Sequence, residues 1–492
     1  MRALVVLLAT VVSSAPPAKF DRKAWLSDYQ SLKEGLERQY SHLAWFGSPE
    51  GGVDLPELDR ETLAALQRAT SDEEAIAVFD RFLARIHDGH LVRRPSAPVP
   101  SVGVEPTKVS TFPDAASACA AYGYAPSQRV PFSLPFESLP GFSLRADGLS
   151  DAFRSGVIEV NGVKLGLVRI QRFRAQEFVP LCLQAWKSAA ARTDAGVTAG
   201  DVSRVVDALW LENLAARLAR FRADKVSAVL VDLGGNGGGN DLGDWAVRTF
   251  SSKPITSAPL LIVPGDAGMP YLQEELRSLN GALAIDGGVN EFSRTALTDA
   301  LARFEKRAAE SAQPMCSMSW VWKERRAWGT SKCTRLMQAD FFSGPLGFAD
   351  AGTYDARVAK TLFWGVASEP TRGSWDGPVF VLVNDGTGSS AEAFASLIRD
   401  RGVAKIVGVK TLGAGCGFMN DVDPIVLPKS KLAFSVPNCV RLRDDGTDDV
   451  AGVNPDFVVP VVPGESGRVR ASKILDAVLL SLRSGERSGE GP

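Results

Sequence analysis

Histidine is scarce in this chain, with three among 492 residues, at positions 42, 87 and 90. None of the six cysteines shows the close C-x-x-C spacing of a zinc site. No metal or other cofactor is therefore expected. An excess of either charge is missing too: 55 Lys and Arg face 57 Asp and Glu, for a formal net charge of −2. That balance gives no electrostatic case for nucleic acid or an anionic membrane. Past the N-terminus no apolar run is long enough to span a bilayer, so no transmembrane segment beyond a signal is expected. What the chain has is length and apolar content. With 45% hydrophobic residues it can bury a sizeable core in two or three domains. Its oligomeric state is not set by composition.

Residues 1–18 read as a secretory signal peptide: Arg2, an apolar run over 3–12, then the small residues Ser13, Ser14 and Ala15. The protein is thus expected to be exported, periplasmic or extracellular. All six cysteines lie in the exported part, and an even count there suggests disulfides. Cys316 with Cys333, and Cys416 with Cys439, are the nearest pairs and are expected to bond. Cys119 and Cys182 have no assigned partner.

Residues 19–94 read as a helical subdomain. Trp25, Tyr29, Leu32, Leu36 and Tyr40 form one apolar stripe, and Ser71-x-x-Glu74 is a capping-box pattern. That helix runs out at His87-Asp88-Gly89-His90. Residues 95–156, rich in Pro, Ser and Gly, read as a linker or small β region. An α/β pattern follows over 157–254 and 376–465, starting with a hairpin around Asn161-Gly162. Strands alternating with helices imply a mostly parallel sheet. Residues 255–375 break the alternation and read as an insertion. Residues 466–492 read as a terminal helix and a disordered tail.

The chain is organised around Asn384-Asp385-Gly386-Thr387-Gly388-Ser389-Ser390-Ala391-Glu392. The apolar run 379–383 before it reads as a buried strand, and helical spacing follows it up to Arg401. A serine at such a strand–turn–helix junction either caps the helix or exposes its hydroxyl beside unpaired amides, as a nucleophile needs. Three further stretches bear on that choice. They are Asp232-Leu233-Gly234-Gly235-Asn236-Gly237-Gly238-Gly239, Asp88-Gly89-His90, and Asp448-Asp449-Val450-Ala451-Gly452-Val453-Asn454-Pro455-Asp456.

Together these stretches resemble the C-terminal processing (tail-specific) serine peptidase family. The glycine loop is similar to its Asp-Leu-Arg-x-Asn-x-Gly-Gly, with Gly234 in place of Arg. Thr387-Gly388-Ser389-Ser390-Ala391-Glu392 resembles its Thr-Ala-Ser-Ala-Ala-Glu, which puts the nucleophile at Ser389. Val407-Gly408-Val409-Lys410-Thr411-Leu412-Gly413 resembles its Val-Gly-Glu-x-Thr-x-Gly, and Gly452-Val453-Asn454-Pro455-Asp456 its Gly-Val-x-Pro-Asp. The resemblance implies an α/β fold with a crotonase-like (ClpP-like) core, preceded by the helical subdomain and interrupted by the inserted segment. It also implies a peptide or protein substrate.

One departure bears on mechanism. The lysine that serves tail-specific members as general base falls at Ala414. The branch holding the tricorn core peptidase and the interphotoreceptor retinoid-binding protein repeats also lacks it, and the resemblance to tricorn implies a histidine base. That assigns Ser389, His90 and Asp449 as the catalytic set, with Asp448 a rival for the third place and Lys410 a rival base. A partnering Asp449 is expected to raise the pKa of His90 and to put the activity limb at about pH 6–7.5 or higher. The amides of Gly238 and Ser390 are expected to form the oxyanion hole. The rival functional reading is a catalytically inactive ligand- or peptide-binding module on the same fold, as in the retinoid-binding relatives.

Overall fold

The computed structural model describes residues 20–95, 112, 114–127, 129–149, 152–191, 199–285, 287, 289–329, 333–350 and 352–488. The signal peptide read over 1–18, part of the 95–156 stretch and the end of the tail lie outside the described residues. Among the described residues, no helix is long and apolar enough to cross a membrane.

The centre is a mixed α/β layer around a seven-stranded sheet. Across the sheet the strands run Phe457–Val458, Lys405–Gly408, Val379–Val383, Ala228–Asp232, Val163–Arg169, Arg154–Val160 and Phe142–Asp147. The first five run parallel, and the last two join by antiparallel pairing, so that Arg154–Val160 alone runs against the rest. Asn161 and Gly162, both with positive φ, close the tight hairpin that joins Arg154–Val160 to Val163–Arg169. The sheet begins at Phe142, inside the stretch whose composition reads as a linker or small β region.

Alternation along the two central strands explains the layers. Val229, Val231, Val379, Val381 and Val383 enter one core with the helix Ser390–Asp400. Ala228, Leu230, Phe380 and Leu382 enter the other, against the terminal helix Gly467–Ser488. Both faces are covered, so these strands read as unbroken apolar runs. Their C-terminal ends, at Asp232 and Val383, open toward the loops that matter, as parallel sheets place their sites.

Two further cores flank this one. The N-terminal helices Arg22–Gln39, Leu55–Arg68 and Asp72–Ile86 bury a cluster shared with Trp320, Trp322 and Phe434. Val92–Arg93 then pairs with Phe434–Ser435 in a separate three-stranded sheet, which pins the chain just after His90. The segment read as an insertion carries the helices Met269–Leu283 and Glu291–Ser311, with a small sheet of Cys439–Arg441, Pro259–Ile262 and Met337–Phe341. Three disulfides join the six cysteines: Cys316–Cys333, Cys416–Cys439, and Cys119–Cys182, the pair left open by the sequence.

Candidate active site

Ser389 sits between the strand Val379–Val383 and the helix Ser390–Asp400 with φ 55° and ψ −122°, a sparsely populated conformation for a residue with a side chain. Such strain persists only where surrounding bonds over-determine it. Here Thr387 Oγ1 donates to the Leu233 carbonyl at 3.0 Å, and the Gly388 amide to the Asn236 carbonyl at 3.0 Å. The Ser389 amide donates to Glu392 Oε2 at 3.0 Å. Its carbonyl accepts from Ala393 at 3.0 Å and from Arg441 Nη2 at 3.4 Å. The turn thus presents the hydroxyl at the start of a helix, where free amides gather.

His90 reaches that hydroxyl from the helical subdomain. Its Nε2 lies 3.2 Å from Ser389 Oγ. The helix Asp72–Ile86 stops at His87, which takes the left-handed conformation and stays exposed. The chain then turns so that the His90 amide donates to Asp88 Oδ1 at 2.8 Å, while Tyr40 Oη donates to Asp88 Oδ2 at 2.8 Å. On the other side of the ring, Nδ1 lies 2.6 Å from the Ala414 carbonyl. A carbonyl only accepts, so Nδ1 carries the proton and Nε2 offers its lone pair to the serine. Burial pushes the His90 pKa below its usual 6.5. Asp88 and the Ala414 contact oppose that shift, and His42 and Arg441 reinforce it.

The carboxylate expected on this imidazole is elsewhere. Asp449 Oδ2 accepts from Arg441 Nε at 2.6 Å, and Asp448 accepts from His42 Nδ1 at 2.9 Å. Each buried acid has a cation of its own, and the place at Nδ1 is filled by backbone. Ala414 therefore contributes its carbonyl at the position where tail-specific relatives would carry a lysine side chain. Lys410, the rival base, has an exposed side chain.

Glu392 locks the two halves together. It is buried, and besides the Ser389 amide it accepts from Thr411 Oγ1, from the Gly413 amide at 2.6 Å and from the Ala414 amide at 2.8 Å. One carboxylate thereby fixes both the nucleophile's backbone and the loop whose carbonyl orients His90. The Ser-x-x-Glu spacing at the helix start was a visible signal for it. Nothing local signalled His42, whose ring is fully buried between Asp448 and the Cys416 carbonyl, 3.0 Å from Nε2. His42, Asp448 and Asp449 stand close enough to resemble a metal triad, but each already has a partner in the protein.

The glycine loop runs beneath. At Gly234 the segment around Ser133 crosses the loop, and a Cβ there would stand 2.4 Å from Ser133 Oγ. The Gly238 amide, expected in the oxyanion hole, donates instead to Asn236 Oδ1 at 2.9 Å. Gly238 matters for space, since with φ 105° its Cβ would lie 2.7 Å from Ser389 Cβ and 2.9 Å from the Ser390 nitrogen. The amides of Ser390 and Gly239 have no acceptor among the described residues, and both residues line the cavity of about 380 Å³ in front of Ser389. A larger cavity of about 720 Å³ lies at the other end of the strands, near Lys405 and Leu482, and includes neither Ser389 nor His90.

Residues 164–459 match the model of peptidase family S41. The chain belongs to that family. Among solved structures, mature CPAF aligns at 15% identity over 92% of this chain and 96% of its own, with a TM-score of 0.52. Mature CPAF complexed with lactacystin aligns at 16% identity over 93% and 97%, with a TM-score of 0.50. A putative peptidase from Parabacteroides merdae aligns at 12% identity over 93% and 96%, with a TM-score of 0.46. No curated protein matches. At these identities the first two likenesses establish a shared fold. Membership of family S41 makes this protein a peptidase with peptide or protein substrates. Within this S41 peptidase, the glycine loop, the Ser389 turn, His90 and the Cys416–Phe418 segment line one cavity.

Proposed function

We propose that this peptidase is an exported serine hydrolase that cleaves peptide bonds through an acyl-enzyme on Ser389. The observation that carries the reading is the strained Ser389 with His90 Nε2 at 3.2 Å and that ring's other nitrogen committed to a carbonyl. His90 takes the serine proton as Oγ attacks the scissile carbonyl, then gives it to the leaving amine. Water enters by the same base and releases the acid product. The Ser390 and Gly239 amides are the donors we assign to the oxyanion. Three disulfides support an oxidising compartment, in line with the N-terminal signal.

The test is labelling with a fluorophosphonate probe. Folded wild-type protein should label, and Ser389→Ala should not. Folded protein that resists the probe would favour the rival binding module. A second test addresses space in the glycine loop. Gly238→Val should lower turnover on the order of 10²-fold or more, because its side chain would cover the Ser390 amide and push on Ser389. Full activity in folded Gly238→Val would remove the loop from the oxyanion site.

A further inference from the structure

The cavity in front of Ser389 contains a carboxylate that the mechanism does not use. Asp241 follows the glycine loop and lines the cavity with Ser389 and His90. Its side chain accepts no hydrogen bond and forms no ion pair among the described residues, and it does not cap the short helix that follows it. Asp244 acts on it from that short helix, and Asp241 acts in turn on Asp207 of the long helix Ala199–Ala223. The cation that acts on Asp241 is Arg441. That guanidinium is already committed to Asp449 through Nε, with Nη2 on the Ser389 carbonyl. Arg174 also lines the cavity, but as an exposed residue at its rim.

The walls are of another kind. Phe342 stacks under Arg441 with the guanidinium 4.9 Å from the ring centroid, and Phe418 stands edge-on to His90 at 6.0 Å and is half-exposed at the mouth. Aromatic walls suit an aliphatic stem, and an unpartnered carboxylate lining the same cavity suits a cationic head. We propose that Asp241 is a specificity-determining residue that recognises a lysine or arginine side chain of the peptide next to the scissile bond.

Burial pushes the Asp241 carboxyl up to about 6, with Asp244 adding to the shift and Arg441 opposing it. A substrate cation would supply the direct ion pair that Arg441, hydrogen-bonded to Asp449 and the Ser389 carbonyl, does not make with Asp241. This inference rests on the cavity being the catalytic cleft, as proposed above, and it names the side chain that cleft prefers.

The experiment separates the two readings. Peptides that differ only in Arg, Lys, citrulline, norleucine or Glu at one position, scanned across the positions flanking a cleaved bond, are titrated by fluorescence anisotropy against full-length Ser389→Ala protein. Binding is thereby measured without turnover. At one position the Arg or Lys peptide should bind about tenfold or more tighter than its citrulline or norleucine counterpart. The added change Asp241→Asn should erase that preference while leaving the neutral peptides within about twofold. In the active protein the same change should raise KM for cationic peptides and spare kcat for neutral ones. Equal binding of cationic and neutral peptides, or tighter binding of the Glu peptide through Arg174, overturns the assignment. So does an Asp241→Asn loss shared equally by all peptides. Wild-type cleavage that does not depend on Ser389, by contrast, counts against Ser389 as the nucleophile and leaves the binding comparison to decide for Asp241.

Discussion

His90→Ala should lower kcat/KM on the order of 10³- to 10⁴-fold while leaving the protein folded. The imidazole is the group on Ser389 Oγ, and its removal leaves the hydroxyl without a proton acceptor. Folding should survive because the anchors of this turn are backbone and Asp88, not the ring: the His90 amide keeps its bond to Asp88. His87→Ala should do far less, since His87 is exposed at the helix end. The pH profile adds a sharper test. A general base works only when neutral, so activity must rise as pH climbs through the pKa of His90. Burial holds that pKa below 6.5, and His42 and Arg441 push the same way. The acid limb of kcat/KM should therefore be centred below about 6.5, and the enzyme should be near full activity at neutral pH. A carboxylate at Nδ1 would have moved the limb upward, to about 7 or above. A limb centred above 7 would restore Asp449 to the imidazole, and activity retained by His90→Ala would remove the base altogether.

How much of this was legible in the sequence follows from what kind of signal each part leaves. The strands at 228–232 and 379–383 are buried on both faces and read as plain apolar runs. The hairpin showed through Asn161-Gly162, because only a residue pair tolerant of positive φ closes such a turn. The edge strand Phe142–Asp147 lay in a stretch that read equally as a linker or a small β region. It pairs on one side only, and three of its six residues are exposed, so no apolar pattern marks it. Ala433–Ser435 pairs with Val92–Arg93, which lies far away in sequence, so no local pattern marks their shared sheet. At the site, Ser389 and His90 are side chains of distinctive chemistry placed at the ends of periodic helices. The group that orients His90 is a backbone carbonyl, which every residue possesses and no sequence position advertises. The two acids beside the Gly-Val-x-Pro-Asp stretch looked interchangeable as partners for a histidine. Their true partners, Arg441 and His42, are fixed by the tertiary fold.

Asp448→Asn should destabilise the protein by about 3–5 kcal/mol at neutral pH. Both nitrogens of His42 face acceptors, the Asp448 carboxylate and the Cys416 carbonyl, so the ring carries two protons and a positive charge. Burial alone would lower its pKa, but the charge and hydrogen bond of Asp448, with Asp88 and Asp449 adding, outweigh burial and push it to about 10. An amide at position 448 leaves that ring either charged without a counter-ion or neutral with a nitrogen unpaired. The sign of the pH dependence follows from the raised pKa. The stabilisation due to His42 protonation is complete below its unfolded value of about 6.5 and is lost as pH rises through about 10. Urea unfolding of the two proteins should therefore show a gap that is wide at pH 7 and narrows by about pH 10.5. A gap of the same size at both values would mean that the residue acts by packing and not by charge. Activity should fall with the same substitution. His42 holds the Cys416 carbonyl, and the next residue, Gly417, lies so close to the catalytic ring that a Cβ there would stand 3.1 Å from His90 Nε2. Loosening that shelf frees the imidazole from the geometry that aims it at Ser389, so folded Asp448→Asn should lose kcat more than it gains KM.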